Sequence, residues 1–366
     1  MRALPAVARL RAAAGAASLL VGASHAAFAR ATGLFDAVLA FDDVAAYHGA
    51  LARRAAVLAD AARRARGARP DVCVAFKAAP VYAALAAASG ARRRVGLTRG
   101  GPAARLLTRA VRVTDFTHWE ARYAALADAG LAALADAAEE AGVGPVAGST
   151  PAGHWTWPSD ESPDVDLLRD AGDSTLRIGV APGGARNAKA DLPQKRWPAA
   201  QFAEVATALA GRHPAAEFVL FGAPSDRADA DAFLRAAPGL RVRDLVGRTS
   251  VLGARAAIGR CALFLCNDSA LLHVAATTDT PTVAVFGPTD PRAICPRAPS
   301  VRAVWRPARA AACYDDVTGR VAPCVAPCCM ARVTPADVLD AARAALGDGA
   351  LGDDALGGGA AGDGSR

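Results

Sequence analysis

The sequence predicts an α/β protein made of two doubly wound parallel sheets, and three observations predict it. Short apolar runs alternate with longer helical stretches along all 366 residues, as in sheets whose strands are joined by crossover helices. The clearest runs, DVCVAF at 71–76 and CALFLC at 261–266, are continuous rather than alternating, as strands buried on both faces are. Residues 144–163, rich in Gly, Pro, Ser and Trp, interrupt the alternation and read as a linker. The expected domains are therefore 1–150 and 165–346. Residues 347–366 form a Gly/Asp/Ala tail with too little apolar surface to order itself.

Composition narrows the class. The chain is 53% hydrophobic but only 5% aromatic, and alanine dominates, which suits helix-rich α/β rather than all-β structure. Its net charge of +7 comes chiefly from arginine. A polyanionic partner fits, whether anionic lipid, phosphorylated glycan or nucleic acid. No run reaches the roughly 18 to 20 apolar residues that span a bilayer. Arg2, Arg9 and Arg11 before the alanine-rich stretch 12–23 imitate a secretory leader, but one weak in apolar side chains. Eight cysteines include the adjacent pair Cys328-Cys329, and Cys73, Cys261 and Cys266 sit in strand-like runs. That arrangement fits a reducing cytoplasm better than a disulfide framework. Cys313, Cys324, Cys328 and Cys329 lack the paired spacing of a zinc site and read as thiols, so no metal is expected.

Element by element, residues 6–14 read as helix, 18–21 as strand, and 26–32 as a helix ended by Gly33. Strand follows at 37–41, an arginine-studded helix at 51–66, strand at 71–76, a helix at 81–88 closed by Gly90, and strand around 95–97. The region 114–142 is helical. In the second half, strands are expected at 176–180, 217–221 and 241–245, helices at 199–211 and 227–237, and a last helix at 335–346.

The rest is organised around 261–296. Strand 261–266 runs into Asn267-Asp268-Ser269, where Asp268 or Ser269 is a preferred N-cap. Leu271, Leu272, Val274 and Ala275 supply a helical stripe, and Thr282–Phe286 is a second buried strand ending in Gly-Pro-Thr-Asp-Pro. In open parallel sheets, ligands bind beyond the carboxyl ends of the strands. The N–H groups of Ser269, Ala270, Leu271 and Leu272 suit a phosphate there. Asp268 does not suit a phosphate, but it suits sugar hydroxyls, and His273 lies one helical turn on. Taken alone, the same pattern also fits a plain N-cap and a hydrogen-bonded core histidine.

Asn267-Asp268-Ser269-x-x-x-His273, Thr280-Pro281 and Phe286-Gly287-Pro288-Thr289-Asp290-Pro291 together resemble the heptosyltransferase family, glycosyltransferase family 9. The family usually has Gly where this chain has Ala270, which keeps the backbone donor if its φ is negative. Pro182-Gly183-Gly184-Ala185-Arg186-Asn187 followed by Lys195-Arg196-Trp197-Pro198 resembles the family's second motif. His118-Trp119-Glu120-x-Arg122-Tyr123 resembles the motif closing its first domain.

The resemblance implies a GT-B fold, two Rossmann-like domains facing a cleft, and an inverting glycosyltransferase. The donor is a nucleotide diphosphate sugar, ADP-heptose or similar, and the acceptor a lipid-linked or lipopolysaccharide-core glycan. No cofactor and no nucleic acid partner are implied. The place of action would be the cytoplasm, with contact at the inner membrane face. Lys195 would stabilise the departing diphosphate, and Gly183, Gly184, Asn187, Asp268, Ser269, Ala270, Leu271 and His273 would line the donor site. Asp226 would meet the ribose, and Thr249, in a Gly-x-Thr-Ser segment, would lie beside the base.

One family feature is missing. The general base of the family lies in a glycine-rich loop before a Leu-Pro, and Leu4-Pro5 matches that Leu-Pro with only Met1, Arg2 and Ala3 ahead of it. The catalytic base is thus unassigned. Asp36, Asp42 and Asp43 match a later strand. The first strand of the first sheet is expected to be missing, leaving two strand edges unpaired. Two other readings stay open: a catalytically silent nucleotide-sugar-binding homologue, and a Rossmann oxidoreductase, disfavoured because no G-x-G-x-x-G opens a helix in the first half.

Overall fold

A computed structural model describes residues 2–114, 117–142, 168, 175–186, 191–307, 313–314 and 329–347. The expected linker at 144–163, the tail beyond Gly347, and Asn187, Cys324 and Cys328 lie outside the described residues.

The first half contains helix α1 (Leu4–Ala13), strand β1 (Ser18–Gly22), α2 (Ala23–Ala31), β2 (Ala37–Phe41), α3 (Asp43–His48), α4 (Leu51–Gly67), β3 (Val72–Ala75), α5 (Pro80–Ala88), β4 (Arg93–Thr98), β5 (Arg109–Arg112) and the long α6 (Trp119–Glu140). Pro5 lies in the first turn of α1, where its fixed φ and missing N–H are harmless. The helix therefore starts two residues earlier than its apolar pattern suggests. A Cβ on Gly130 of α6 would come within 2.6 Å of Leu10, so glycine there lets α1 and α6 approach closely. All strand pairs in this half are parallel. They form two sheets, β1-β2 and β3-β4-β5, and no described strand joins β1 to β3.

The second half contains β6 (Arg177–Ala181), α7 (Ala199–Arg212), β7 (Glu217–Leu220), α8 (Arg227–Ala236), β8 (Val242–Asp244), α9 (Val251–Ile258), β9 (Leu263–Asn267), α10 (Ala270–Ala275), β10 (Thr282–Phe286), α11 (Pro291–Ile294), β11 (Val301–Trp305), α12 (Cys329–Arg332) and α13 (Pro335–Leu346). Its six parallel strands stand in the order β11-β10-β9-β6-β7-β8. This is the doubly wound order, with the chain reversing direction across the sheet between β6 and β9.

Every residue of β6, β9 and β10 is buried, which explains why these strands read as unbroken apolar runs. Alternate residues serve opposite faces. Ile178, Val180, Leu263, Leu265, Val283 and Val285 pack with Phe202 and Phe233 beneath α7, α8 and α13. Ala181, Phe264, Cys266, Ala284 and Phe286 pack with Ile258 and Leu272 beneath α9 and α10. Gly179 lies under the edge-on pair Phe221–Phe264, where a Cβ would meet Phe264 at 2.7 Å. Removing Phe264 would cost about 3–5 kcal/mol.

Two strands have no counterpart among the expected elements. β5 reads RAVR with exposed arginines and β11 is half exposed, so neither shows a continuous apolar run. Both are edge strands, where charged side chains protect the open backbone.

Candidate functional site

In a doubly wound sheet the crevice for a ligand lies at the carboxyl ends of the strands where the order reverses, here β6 and β9, and the two polar loops after these strands meet there. Asn267, the last residue of β9, is fully buried and joins them. Its Nδ2 donates to the carbonyls of Pro182 and Gly183 at 3.0 and 3.1 Å, and its Oδ1 accepts from Trp197 N at 2.9 Å. One side chain thereby fixes the glycine loop and the approach to α7, the segment that carries Lys195.

Lys195 and Asp268 are both buried, and Lys195 Nζ lies 2.5 Å from Asp268 Oδ2. The ammonium also sits 4.9 Å from the centroid of the Tyr314 ring. Burial pushes the Asp268 carboxyl up, but the charges of Lys195 and Arg2 outweigh it and hold the group below 3.8. Apart from that ammonium, Oδ2 has no hydrogen-bond partner. A buried carboxylate with an unused acceptor is poised for a ligand donor such as a hydroxyl.

His273 lies on α10, also buried. Arg2 Nε donates to its Nε2 at 2.9 Å. A guanidinium can only donate, so Nε2 is the unprotonated nitrogen and the ring is neutral. Burial and the nearby Arg2 charge push its pKa well below 6.5, in keeping with that geometry. Trp119 packs edge-on against the same ring, with centroids 5.9 Å apart.

The glycine loop is built for close approach. Gly184 has φ +99, and a Cβ there would fall 2.6 Å from that of Ser269; a Cβ on Gly183 would fall 2.6 Å from that of Asp226. Asp226 is fully engaged in this loop: Oδ1 accepts from Gly184 N at 3.0 Å and from Arg186 at 2.9 Å, and Oδ2 from Ala223 N at 2.9 Å.

Ser269 precedes α10 without a side-chain cap bond, so neither it nor Asp268 serves as the expected capping side chain. Asp268 is turned instead to Lys195. Ala270 is helical and is not among the positive-φ residues, so the backbone donor survives the exchange of Gly for Ala. Leu271 is half-buried against the core under α10. The structure thus brings together Lys195, Asp268, Ser269, His273, Gly183, Gly184 and Asp226. Thr249 stands apart, in the turn between β8 and α9. Asn267, Tyr314 and Arg2 are additions that pattern reading did not single out. Asn267 lay in the motif itself, whereas Arg2 and Tyr314 reach the site only through the fold.

The motif at 118–123 is the second contact between the halves. His118 Nδ1 accepts from Glu120 N at 3.2 Å, so its Nε2 carries the proton and donates to the Cys295 carbonyl at 2.9 Å. Trp119 Nε1 donates to the Ile294 carbonyl at 2.8 Å.

Residues 175–320 match the family described as Glycosyltransferase family 9 (heptosyltransferase). They are a glycosyltransferase family 9 domain. This domain spans β6 to β11, and the crevice residues other than Arg2 lie within it. Among curated relatives, lipopolysaccharide heptosyltransferase 2 of Salmonella typhimurium is 36% identical over 117 residues, 31% of this chain and 32% of that protein. The Escherichia coli protein of the same name is 35% identical over the same length. The chain thus aligns with about a third of these relatives' length. Over the whole chain, the fold matches that of E. coli ADP-heptose lps heptosyltransferase II, with a TM-score of 0.67, 20% identity and 95% of each chain covered. A glycosyl transferase family 9 structure from Veillonella parvula matches at 0.66, with 15% identity and 94% of each chain covered. The family 9 domain is therefore the second half of a GT-B fold.

Proposed function

We propose that the protein is an inverting glycosyltransferase that moves a heptose-like sugar from a nucleotide diphosphate, ADP-heptose or a close analogue, to a lipopolysaccharide-core or similar surface glycan. The observation that carries this reading is the buried Lys195–Asp268 pair at the reversal point of the parallel sheet. A cation for phosphate and a carboxylate with an unused acceptor for hydroxyls stand side by side there, as a sugar diphosphate requires.

In this reading Gly183, Gly184 and the backbone N–H groups of Ser269, Ala270 and Leu271 let the diphosphate come close, Asp226 meets the ribose, and Thr249 lies beside the base. When the glycosidic bond to the diphosphate breaks, negative charge grows on the leaving oxygen, and Lys195, turned from Asp268 to the diphosphate, stabilises it. Asp268, relieved of the ammonium, then accepts from sugar hydroxyls. The first half receives the acceptor. Residues 1–142 carry 19 Arg and Lys against 11 Asp and Glu, and the remainder 23 against 24, so the whole positive excess lies there. That excess suits a phosphorylated, lipid-linked acceptor and contact with an anionic membrane face in the cytoplasm. Neighbouring names point the same way, since the similar proteins are called lipopolysaccharide heptosyltransferases.

Thermal denaturation with a panel of nucleotides and nucleotide sugars tests the reading. A ligand at about a hundred times its Kd adds roughly 2.7 kcal/mol. ADP and an ADP-sugar should raise the midpoint, and release of ADP should follow addition of a core glycan. A midpoint indifferent to every nucleoside diphosphate would refute it.

A further inference from the structure

We infer that His25 is the general base of the transfer, taking the proton from the acceptor hydroxyl, and that Ser24 and Asp43 hold its imidazole in the form that can do so. This rests on the transferase reading given above and extends it to residues of the first half, outside the matched family domain.

Two observations carry it. The first is a hydrogen-bonded chain of three side chains at the carboxyl ends of β1 and β2. Asp43, buried at the start of α3, accepts from the Ser24 hydroxyl at 2.5 Å through Oδ2, and Ser24 Oγ lies 2.7 Å from His25 Nδ1. Burial pushes the Asp43 carboxyl up, but the hydrogen bonds from the Ser24 hydroxyl and N–H outweigh it and hold the group below 3.8. It is therefore a carboxylate and only accepts. The single Ser24 hydroxyl proton goes to Asp43, so Ser24 Oγ accepts from His25 Nδ1. In the neutral ring the other nitrogen, Nε2, then carries the lone pair. Ser24 and His25 are exposed, which leaves that nitrogen open to a substrate.

Helix capping explains only part of this chain. α2 has no side-chain cap of its own, and Asp43 Oδ1 accepts from Ser24 N at 3.3 Å in place of one. That bond needs neither Oδ2 nor the hydroxyl nor the imidazole beyond it. The strand end is also shaped for the carboxylate, since a Cβ on Gly22 would fall 2.5 Å from Asp43 Cγ.

The second observation is placement. In parallel sheets of this kind, substrates meet the carboxyl ends of the strands, and His25 lies in the first turn of the helix that follows β1. That rim of the first half is turned to the second. Helix α1 ends where β1 begins, so its start lies on the same rim, and Arg2 just ahead of it bonds to His273 in the crevice. Helix α2 itself lies against α9. His25 thus stands on the half that receives the acceptor, on the side facing the donor.

The acceptor O–H bond breaks as its oxygen bonds to the anomeric carbon, and the proton passes to His25 Nε2 and then to water. The bond from that carbon to the diphosphate breaks, leaving its electron pair on the diphosphate beside Lys195. Ser24 and Asp43 are positioning residues: they fix the tautomer and, through the hydroxyl, stabilise the imidazolium that forms.

The experiment follows ADP release from ADP-heptose and a heptose-free core glycan by the full chain, as wild type, His25→Ala, Ser24→Ala, Asp43→Asn and the double variant of His25 and Ser24. The thermal shift produced by ADP reports that each variant is folded. His25→Ala is expected to lower kcat about 10²- to 10⁴-fold, with KM and the ADP shift unchanged, and added imidazole should restore part of the rate. Ser24→Ala and Asp43→Asn should lower kcat in the same direction, and Ser24→Ala should cost nothing further once the imidazole is gone. A wild-type kcat in His25→Ala, or a loss confined to KM or to ADP binding, overturns the inference while leaving the donor-site reading intact. So does a wild-type chain that binds ADP but transfers nothing, whereas one that binds no nucleoside diphosphate overturns both.

Discussion

The rings of Trp119 and His273 meet edge-on, with centroids 5.9 Å apart and planes at 87°. Trp119 opens the last helix of the first half, and His273 lies in the crevice of the second. The same indole donates to the Ile294 carbonyl at 2.8 Å, and its neighbour His118 donates to that of Cys295 at 2.9 Å. One helical turn of α6 thus fixes the position of α11 and touches the site itself. Any change in how the halves sit must pass through this contact or break it.

Breaking it should therefore be visible as lost cooperativity. Trp119→Phe keeps a ring against His273 but strands the Ile294 carbonyl, costing about 1 kcal/mol. Trp119→Ala also loses the ring, about 3–5 kcal/mol. Scanning calorimetry is expected to resolve two transitions for Trp119→Ala where the wild type shows one. A single transition at the wild-type midpoint would show that the contact holds nothing together.

How far the sequence revealed this arrangement depended on burial. Strands β6, β9 and β10 are buried on both faces, so their continuous apolar runs located them, the reversal point between β6 and β9, and the crevice beyond it. Edge strands β5 and β11 alternate with arginine or solvent-facing residues and gave no such signal. Within the site, residues adjacent in sequence to glycine turns and strand ends were legible: Lys195, Asp268, Gly183 and Gly184. Their pairing was not, because Lys195 and Asp268 lie 73 positions apart and local pattern assigns them separate partners. Arg2 and Tyr314 were invisible for the same reason, since only the closed fold brings them to the crevice.

That pairing changes what a lysine substitution should do. In the wild type the carboxyl of Asp268 is held below its ordinary 3.8, so it contributes stability above that value and loses it as pH falls through the folded pKa. In Lys195→Ala, burial acts with less opposition and the carboxyl moves up. The unpaired charge then destabilises the fold by about 3–5 kcal/mol near neutral pH, and protonation relieves it. Urea denaturation should find the gap between variant and wild type narrowing as pH falls from about 7 toward about 5. A gap independent of pH would mean that the pair does not govern the site.

The two substitutions should also fail to add. Asp268→Ala leaves a buried ammonium and Lys195→Ala a buried carboxylate, whereas the double variant leaves neither. A double-mutant cycle on stability is expected to give a coupling of about 1–3 kcal/mol, with the double variant at least as stable as the worse single one. Additive losses would contradict a direct pair.

Asp226 should act on nucleotide affinity through the glycine loop. Its carboxylate takes the N–H groups of Gly184 and Ala223 and the Arg186 side chain. Asp226→Ala leaves two backbone donors and a cation without this partner, a loss of about 1–3 kcal/mol in stability, and it frees the loop proposed to approach the diphosphate. AMP and ADP affinity should fall together, whereas the loss of Lys195, which in the proposed reading meets only the diphosphate, should weaken ADP and spare AMP. Unchanged affinity with lowered stability would make Asp226 a structural staple alone.

His273 offers the sharpest pH test, because its neutrality follows from the Arg2 bond and from burial together. Its folded pKa lies well below 6.5, so below about pH 6.5 the unfolded chain binds a proton that the folded chain refuses. Stability should therefore fall as pH drops from about 6.5, by up to about 1.4 kcal/mol per pH unit from this residue. His273→Gln keeps an acceptor for Arg2 Nε but cannot titrate. Urea denaturation of both proteins between about pH 5 and 7.5 should show the wild type losing stability faster on the acid side, with parallel lines above about pH 7. Parallel lines throughout would mean that His273 takes up its proton in the folded protein, and the guanidinium could not then be donating to it.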